Sequence, residues 1–146
     1  MLIVDTGPLV AIADEGDKNY QACLDLLATA SGPLITTELV IAEAGYLLNR
    51  ELGNRAELAL VEMIQDGSLT IMPLEPDDWT RVAELLARYE DLPLGVTDAS
   101  LIAIAERLTA VEVATLDRRH FRVVRPRHCD GFTLKPDQIA SRRRSS

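Results

Sequence analysis

The chain opens with a short apolar run, Leu2-Ile3-Val4, that stops abruptly at Asp5-Thr6-Gly7-Pro8, and this change constrains the fold more than any other feature. Consecutive apolar residues without polar alternation suit a strand covered on both faces, as in a parallel sheet. The carboxylate that follows needs water, a cation or a hydrogen-bonding partner. The run therefore predicts a buried strand that delivers Asp5 to its own carboxyl end.

Beyond it, short apolar runs alternate with helical periodicity. Gly7-Pro8 opens a short helical stretch from Leu9 to Ala13, and a second helix is expected from Lys18 to Ala30, stopped by Ser31-Gly32-Pro33. Leu34-Ile35-Thr36 reads as a buried strand, and Thr36 or Thr37 is placed to cap a helix from Glu38 to Leu52 that turns Leu39, Ala42, Tyr46 and Asn49 to one face. A further helix runs from Arg55 to Asp66, Leu69-Thr70-Ile71-Met72 alternates like a strand, and Asp77 or Asp78 can cap a helix reaching Tyr89. After a loop at Leu92 to Val96, Thr97 stands at an N-cap position, Asp98 falls in the first turn, and Leu101, Ile102, Ile104, Ala105 and Leu108 make the helix strongly apolar. Val111 to Leu116 reads as a strand delivering Asp117, and Phe121-Arg122-Val123-Val124 as the last strand. This alternation predicts an α/β sandwich with a mainly parallel sheet, in which ligands gather at the carboxyl ends of the strands, where Asp5 and Asp117 fall.

The 146 residues, 47% apolar and 26% charged, suit one domain with its own core. No stretch approaches the roughly 18 apolar residues of a membrane span, and Met1 is followed by no basic or long apolar leader, so a cytoplasmic protein is expected. Cys23 and Cys129 stand far apart and out of ligand spacing with His120 or His128, which favours packing thiols over a disulfide or zinc site. The net charge of -8 conceals an asymmetry: residues 1–117 hold 21 acids and 6 bases, and residues 118–146 hold 2 acids and 9 bases. The basic end is nearly all arginine, namely Arg118, Arg119, Arg122, Arg125, Arg127 and Arg142 to Arg144. Such a segment suits nucleic acid or an acidic partner, or else a solvated face with a frayed end.

Four acids stand at element boundaries or on an apolar helix: Asp5, Glu43, Asp98 and Asp117. Each has a bland explanation. Asp5 and Asp117 can cap the elements that follow, Asp98 suits a helix dipole, and Glu43 can face solvent. Brought together, however, carboxylates repel one another, so such a site must protonate or bind cations. All-oxygen ligands suit Mg²⁺ or Mn²⁺, and such ions polarise a phosphodiester and generate hydroxide from water. Thr6 and Thr115 are hydroxyls beside these acids, placed to orient a carboxylate or to serve only as caps and strand formers.

Ile3-Val4-Asp5-Thr6, Thr37-Glu38-Leu39-Val40-Ile41-Ala42-Glu43, Leu94-Gly95-Val96-Thr97-Asp98-Ala99 and Ala114-Thr115-Leu116-Asp117-Arg118-Arg119-His120-Phe121 together resemble the PIN-domain ribonucleases, above all the VapC toxins of toxin–antitoxin pairs. The resemblance runs from Leu2 to about Pro126. It implies a PIN-like three-layer α/β/α sandwich, expected over residues 1–135; residues 136–146 fall beyond the likeness and are expected to form a flexible basic tail. It also implies an endoribonuclease dependent on Mg²⁺ or Mn²⁺, with Asp5, Glu43, Asp98 and Asp117 as metal ligands and Thr6 and Thr115 beside them. A homodimer and a cognate VapB-type antitoxin follow from the same likeness. An acidic body repels RNA, so a basic track is needed, and Arg118, Arg119, Arg122 and Arg125 lie next to Asp117.

Two other classes compete. An aspartate-based phosphotransferase would want a second acid two residues after Asp5, where Gly7 stands, or a late sheet lysine, and the only lysines are Lys18 and Lys135. A catalytically silent RNA- or protein-binding scaffold has no need for all four acids.

Overall fold

The computed structural model describes residues 1–140; Arg142 to Arg144, and with them most of the expected tail, lie outside the described residues. In chain order the elements are β1 (Leu2–Val4), α1 (Thr6–Ala11), α2 (Tyr20–Thr29), β2 (Leu34–Thr36), α3 (Glu38–Leu52), α4 (Asn54–Gln65), β3 (Thr70–Ile71), α5 (Pro76–Arg88), α6 (Val96–Leu108), β4 (Glu112–Ala114), α7 (Arg119–Val123) and β5 (Thr133–Lys135). All five strands are parallel, in the order β3-β2-β1-β4-β5. The first run is thus the central strand. Its three residues are fully buried although successive side chains point to opposite faces, so helices cover the sheet on both sides. This is the three-layer α/β/α arrangement expected.

The ends of the elements follow from local chemistry. The Asp5 carboxylate accepts from the Thr6 N–H at 2.7 Å and caps α1, which begins earlier than Leu9 for that reason. Thr37 caps α3 through a long 3.4 Å bond from Val40 N–H. Glu75, not Asp77 or Asp78, caps α5, while Asp78 reaches back to the Glu75 N–H at 2.9 Å as the other half of a capping box. Gly95 precedes α6 at φ 73, a conformation that favours glycine, and this turn starts the helix before Thr97 can act as its cap.

Two expectations fail, one on which face of a helix is buried and the other on the period itself. The buried face of α3 is Val40, Ala44 and Leu48, spaced four apart, while Tyr46 is exposed. Phe121 to Val124 is no strand: α7 is helical, so Phe121 and Val124, three apart, are buried and Val123 is 54% exposed. The last strand is instead Thr133–Lys135, paired with β4. Beyond it the chain stays against the body as far as the described residues go, since Ala140 N–H donates to Asn19 Oδ1 at 2.8 Å.

Helices α5 and α6 pack together through matched charges as well as apolar contact. Arg81 grips Glu106 with two bonds of 2.7 and 3.0 Å, and Arg107 bonds Asp78 at 3.0 Å and the Pro73 carbonyl at 2.9 Å. Among the described residues no helix is long and apolar enough to cross a membrane.

Candidate active site

The carboxyl ends of β1 and β4 lie side by side, with Val4 opposite Ala114, so the residues just beyond them meet. Asp5 is 7% exposed. Its Oδ1 accepts from Thr6 N–H, and its Oδ2 accepts from the Thr115 hydroxyl at 2.8 Å. This close approach of α1 to the chain after β4 needs a small residue at position 7, because a Cβ on Gly7 would lie 3.1 Å from the Leu116 Cβ.

Glu43 arrives from the exposed side of α3. Its Oε2 accepts from the Thr6 hydroxyl at 2.6 Å, so one threonine joins two of the acids, one through its backbone and the other through its side chain. The helices carrying Glu43 and Asp98 are tied near their starts by Thr37 and Ser100, whose buried hydroxyls are 3.0 Å apart, and Ser100 also donates to the Thr97 carbonyl at 2.6 Å. Asp98 pairs with His120, Oδ2 to Nδ1, at 2.5 Å. Asp117 is exposed and faces Arg119 at 3.2 and 3.3 Å.

The electrostatics show that these groups feel one another. Burial pushes the Asp5 carboxyl up to about 6, and the charges of Asp98 and then Glu43 add to the lift against the bonds from Thr6 and Thr115. Asp98 is raised chiefly by burial, with Glu43 and Asp117 pushing the same way and His120 opposing. Asp117 is lowered, because Arg119 bonds its carboxylate. The four expected acids thus share one corner of the sheet. Among the described residues, however, no three Asp, Glu, His or Cys side chains form a ready-made metal cluster, since Glu43 leans on Thr6, Asp98 on His120 and Asp117 on Arg119.

The expected arginine track divides. Arg118 is buried at 8% exposure, and its guanidinium donates to the carbonyls of Thr115, at 3.1 Å, and Pro136. It ties the loop after β4 to the chain after β5 and cannot serve a phosphate. Arg119, Arg122 and Arg125 are exposed. A recess of about 780 Å³ opens beside Asp117 and Arg119, walled by Leu116, Asn19 and residues 139–140. His120 is the site neighbour that pattern reading passes over. Treating Phe121 and Val123 as a strand hides it, whereas the helical spacing of Phe121 and Val124 places His120 on the turn facing Asp98.

The PIN domain model matches residues 2–126, most of the sheet and every residue of this corner. The chain belongs to the PIN-domain family. This PIN domain is 29% identical over 135 residues to Ribonuclease VapC26 of Mycobacterium tuberculosis, covering 92% of this chain and all of that protein. It is 25% identical over 107 residues to the 23S rRNA-specific endonuclease VapC20 of the same organism, covering 73% of this chain and 82% of that protein. Among solved structures, the sarcin–ricin-loop-cleaving toxin VapC20 superposes with a TM-score of 0.72 at 23% identity, covering 77% of this chain and 87% of that one. FitAcB from Neisseria gonorrhoeae superposes at 0.61 with 17% identity, covering 83% and 91%. β5 lies beyond the family match yet extends the PIN sheet by pairing with β4.

Proposed function

We propose that this PIN domain is the toxin of a VapBC-type toxin–antitoxin pair, a cytoplasmic endoribonuclease that hydrolyses RNA phosphodiester bonds with Mg²⁺ or Mn²⁺. The observation that carries the reading is the meeting of Asp5, Glu43 and Asp98 at one strand end: the Asp5 oxygens accept from the Thr6 N–H and the Thr115 hydroxyl with no cation against them, and burial first, then the charges of Asp98 and Glu43, lifts the carboxyl to about 6. An oxygen-only donor set short of positive charge fits a hard divalent ion. Asp5, Glu43, Asp98 and Asp117 would hold it. When bound, such an ion supplies Lewis-acid polarisation of a phosphodiester and a lowered pKa for water.

The chain's own residues prepare that corner. Thr115 and the Thr6 N–H hold both Asp5 oxygens, so the carboxylate cannot swing away as substrate arrives. Thr6 orients Glu43, and His120 orients Asp98. Arg119 leans on Asp117 while most of its guanidinium stays in solvent, so it can turn to an incoming phosphate, with Arg122 and Arg125 beyond it on the same segment. The relatives support the reaction class, being ribonucleases by name. A VapB-type antitoxin and a homodimer complete the proposal.

The test is cleavage of RNA by purified chain freed of partner, with Mg²⁺, Mn²⁺ or EDTA. Cleavage that needs the ion and disappears in Asp5→Asn and Asp98→Asn is expected; cleavage that persists in EDTA or in either variant refutes the site.

A further inference from the structure

A second recess, about 780 Å³, lies between the end of α5 and the segment after α7, and arginine dominates its lining: Arg81, Arg88, Arg125 and Arg127 against the single acid Glu84. In a chain whose acids outnumber its bases by 23 to 15, arginines have partners within easy reach. Several take them. Arg81 bonds Glu106 and Glu84, Arg127 bonds Glu84 at 2.5 Å, and Arg50, Arg107 and Arg119 each face a carboxylate. Among the described residues, the exposed guanidiniums of Arg55, Arg88, Arg122 and Arg125 form no ion pair with a carboxylate, and of these only Arg88 and Arg125 line the recess, although Glu90 and Asp91 follow Arg88 closely in the chain. Arg88 instead lies over the Tyr89 ring, 5.6 Å from its centre, and the Tyr89 hydroxyl accepts from the Arg125 N–H at 3.0 Å. One tyrosine therefore holds two of these arginines at the same lip, Arg88 by its guanidinium and Arg125 by its backbone.

Unpaired like charges held together repel, and a partner bearing negative charge removes that cost. The chain leads from the carboxylate corner to the recess. α7 begins at Arg119, beside Asp117, and carries Arg122, while Arg125 stands two residues past its end at Val123, in the lining of the recess. We infer that the recess between Arg88 and Arg125 is a phosphate-binding exosite that grips the RNA backbone away from the cleaved bond. Stacking favours this occupant over an acidic polypeptide: the guanidinium fork matches paired oxygens of phosphate and carboxylate alike, but its flat face also stacks on a base, as Arg88 lies over Tyr89. Phosphate contacts position a strand without reading its sequence, so the exosite would select RNA by reach and shape.

The inference rests on the nuclease reading, and its test separates the two. In an Asp5→Asn background, which keeps RNA intact, binding of a fluorescent RNA hairpin with single-stranded flanks is measured across a salt titration. Joint Arg88→Ala and Arg125→Ala substitution is expected to weaken binding about tenfold and to reduce the slope of log affinity against log salt by about 2, one for each phosphate no longer gripped. Arg55→Ala, an exposed arginine on α4, is expected to leave the slope unchanged. An unaltered slope in the double variant, or an equal loss in Arg55→Ala, overturns the exosite. So does a double variant that loses binding of polyglutamate while holding RNA as before, because the recess then serves a protein. Absence of metal-dependent cleavage by the unsubstituted chain, with the slope difference intact, would sink the nuclease reading and leave the exosite standing.

Discussion

Two groups of buried acids in this molecule are treated in opposite ways. On the α5–α6 seam, Asp78 is 4% exposed and faces Arg107, and Glu106 faces Arg81 with two bonds. At the strand ends, Asp5 is nearly as buried, yet its partners are a hydroxyl and a backbone N–H, and its charged neighbours are other acids. The first group closes its own electrostatics and serves packing. The second is left short of positive charge, and a protein keeps such a corner when something outside the chain completes it.

The comparison is broken most sharply by activity. Asp98→Asn should lower metal-dependent RNA cleavage by roughly 10²–10³-fold, the scale on which a charge-stabilising group is lost, whereas Asp78→Asn on the seam should leave turnover per folded molecule nearly unchanged. Equal losses in both variants, measured at equal folded fraction, would erase the distinction.

Stability should reverse the order. Arg107→Ala leaves Asp78 buried against no guanidinium and should cost about 3 kcal/mol in chemical denaturation. A cost below about 0.5 kcal/mol would place the pair with exposed ion pairs of little weight.

Asp5→Asn should do the opposite and stabilise the metal-free chain. The folded carboxyl titrates near 6 against an ordinary 3.8, so between those values the folded chain binds more protons than the unfolded one. Stability is therefore fullest below about pH 4 and falls as pH rises through 6, a span of about 3 kcal/mol. The amide, which accepts one bond fewer than the carboxylate, should recover about 2 kcal/mol of this at pH 7 in EDTA and flatten the profile. A variant that retains the fall between pH 4 and 7 would reassign it to another group.

The smallest effect is the most selective. Mn²⁺ at about ten times its dissociation constant should raise the stability of the unsubstituted chain by about 1.4 kcal/mol. Asp5→Asn should lose that gain and Arg107→Ala should keep it, as read by the midpoint of thermal unfolding.

How much of this is legible in residue order varies with the range of the interaction. β1, β2 and α3 stand where short apolar runs, Gly-Pro stops and a capping threonine put them, because those signals are local. α7 reads as a strand in the sequence because four residues fit a period of two or three about equally well, and only the wall that receives Phe121 and Val124 chooses. β5 carries no signal, since Thr133-Leu134-Lys135 becomes a strand by finding the free edge of β4.

The site divides along the same line. Residue order offers Asp5, Glu43, Asp98 and Asp117 as candidates, since an acid that ends an apolar run or interrupts an apolar helix is conspicuous, although a cap, a helix dipole or a solvent-facing position explains each one singly. It cannot say that Arg118 is buried on two carbonyls, that His120 turns to Asp98, or that Tyr89 draws Arg88 and Arg125 to one lip. Those outcomes depend on which neighbours, distant in sequence, come within hydrogen-bond reach, and a side chain with several possible partners is decided by packing. Burial and charge can be read from a string of residues; the identity of the partner is a property of the folded chain.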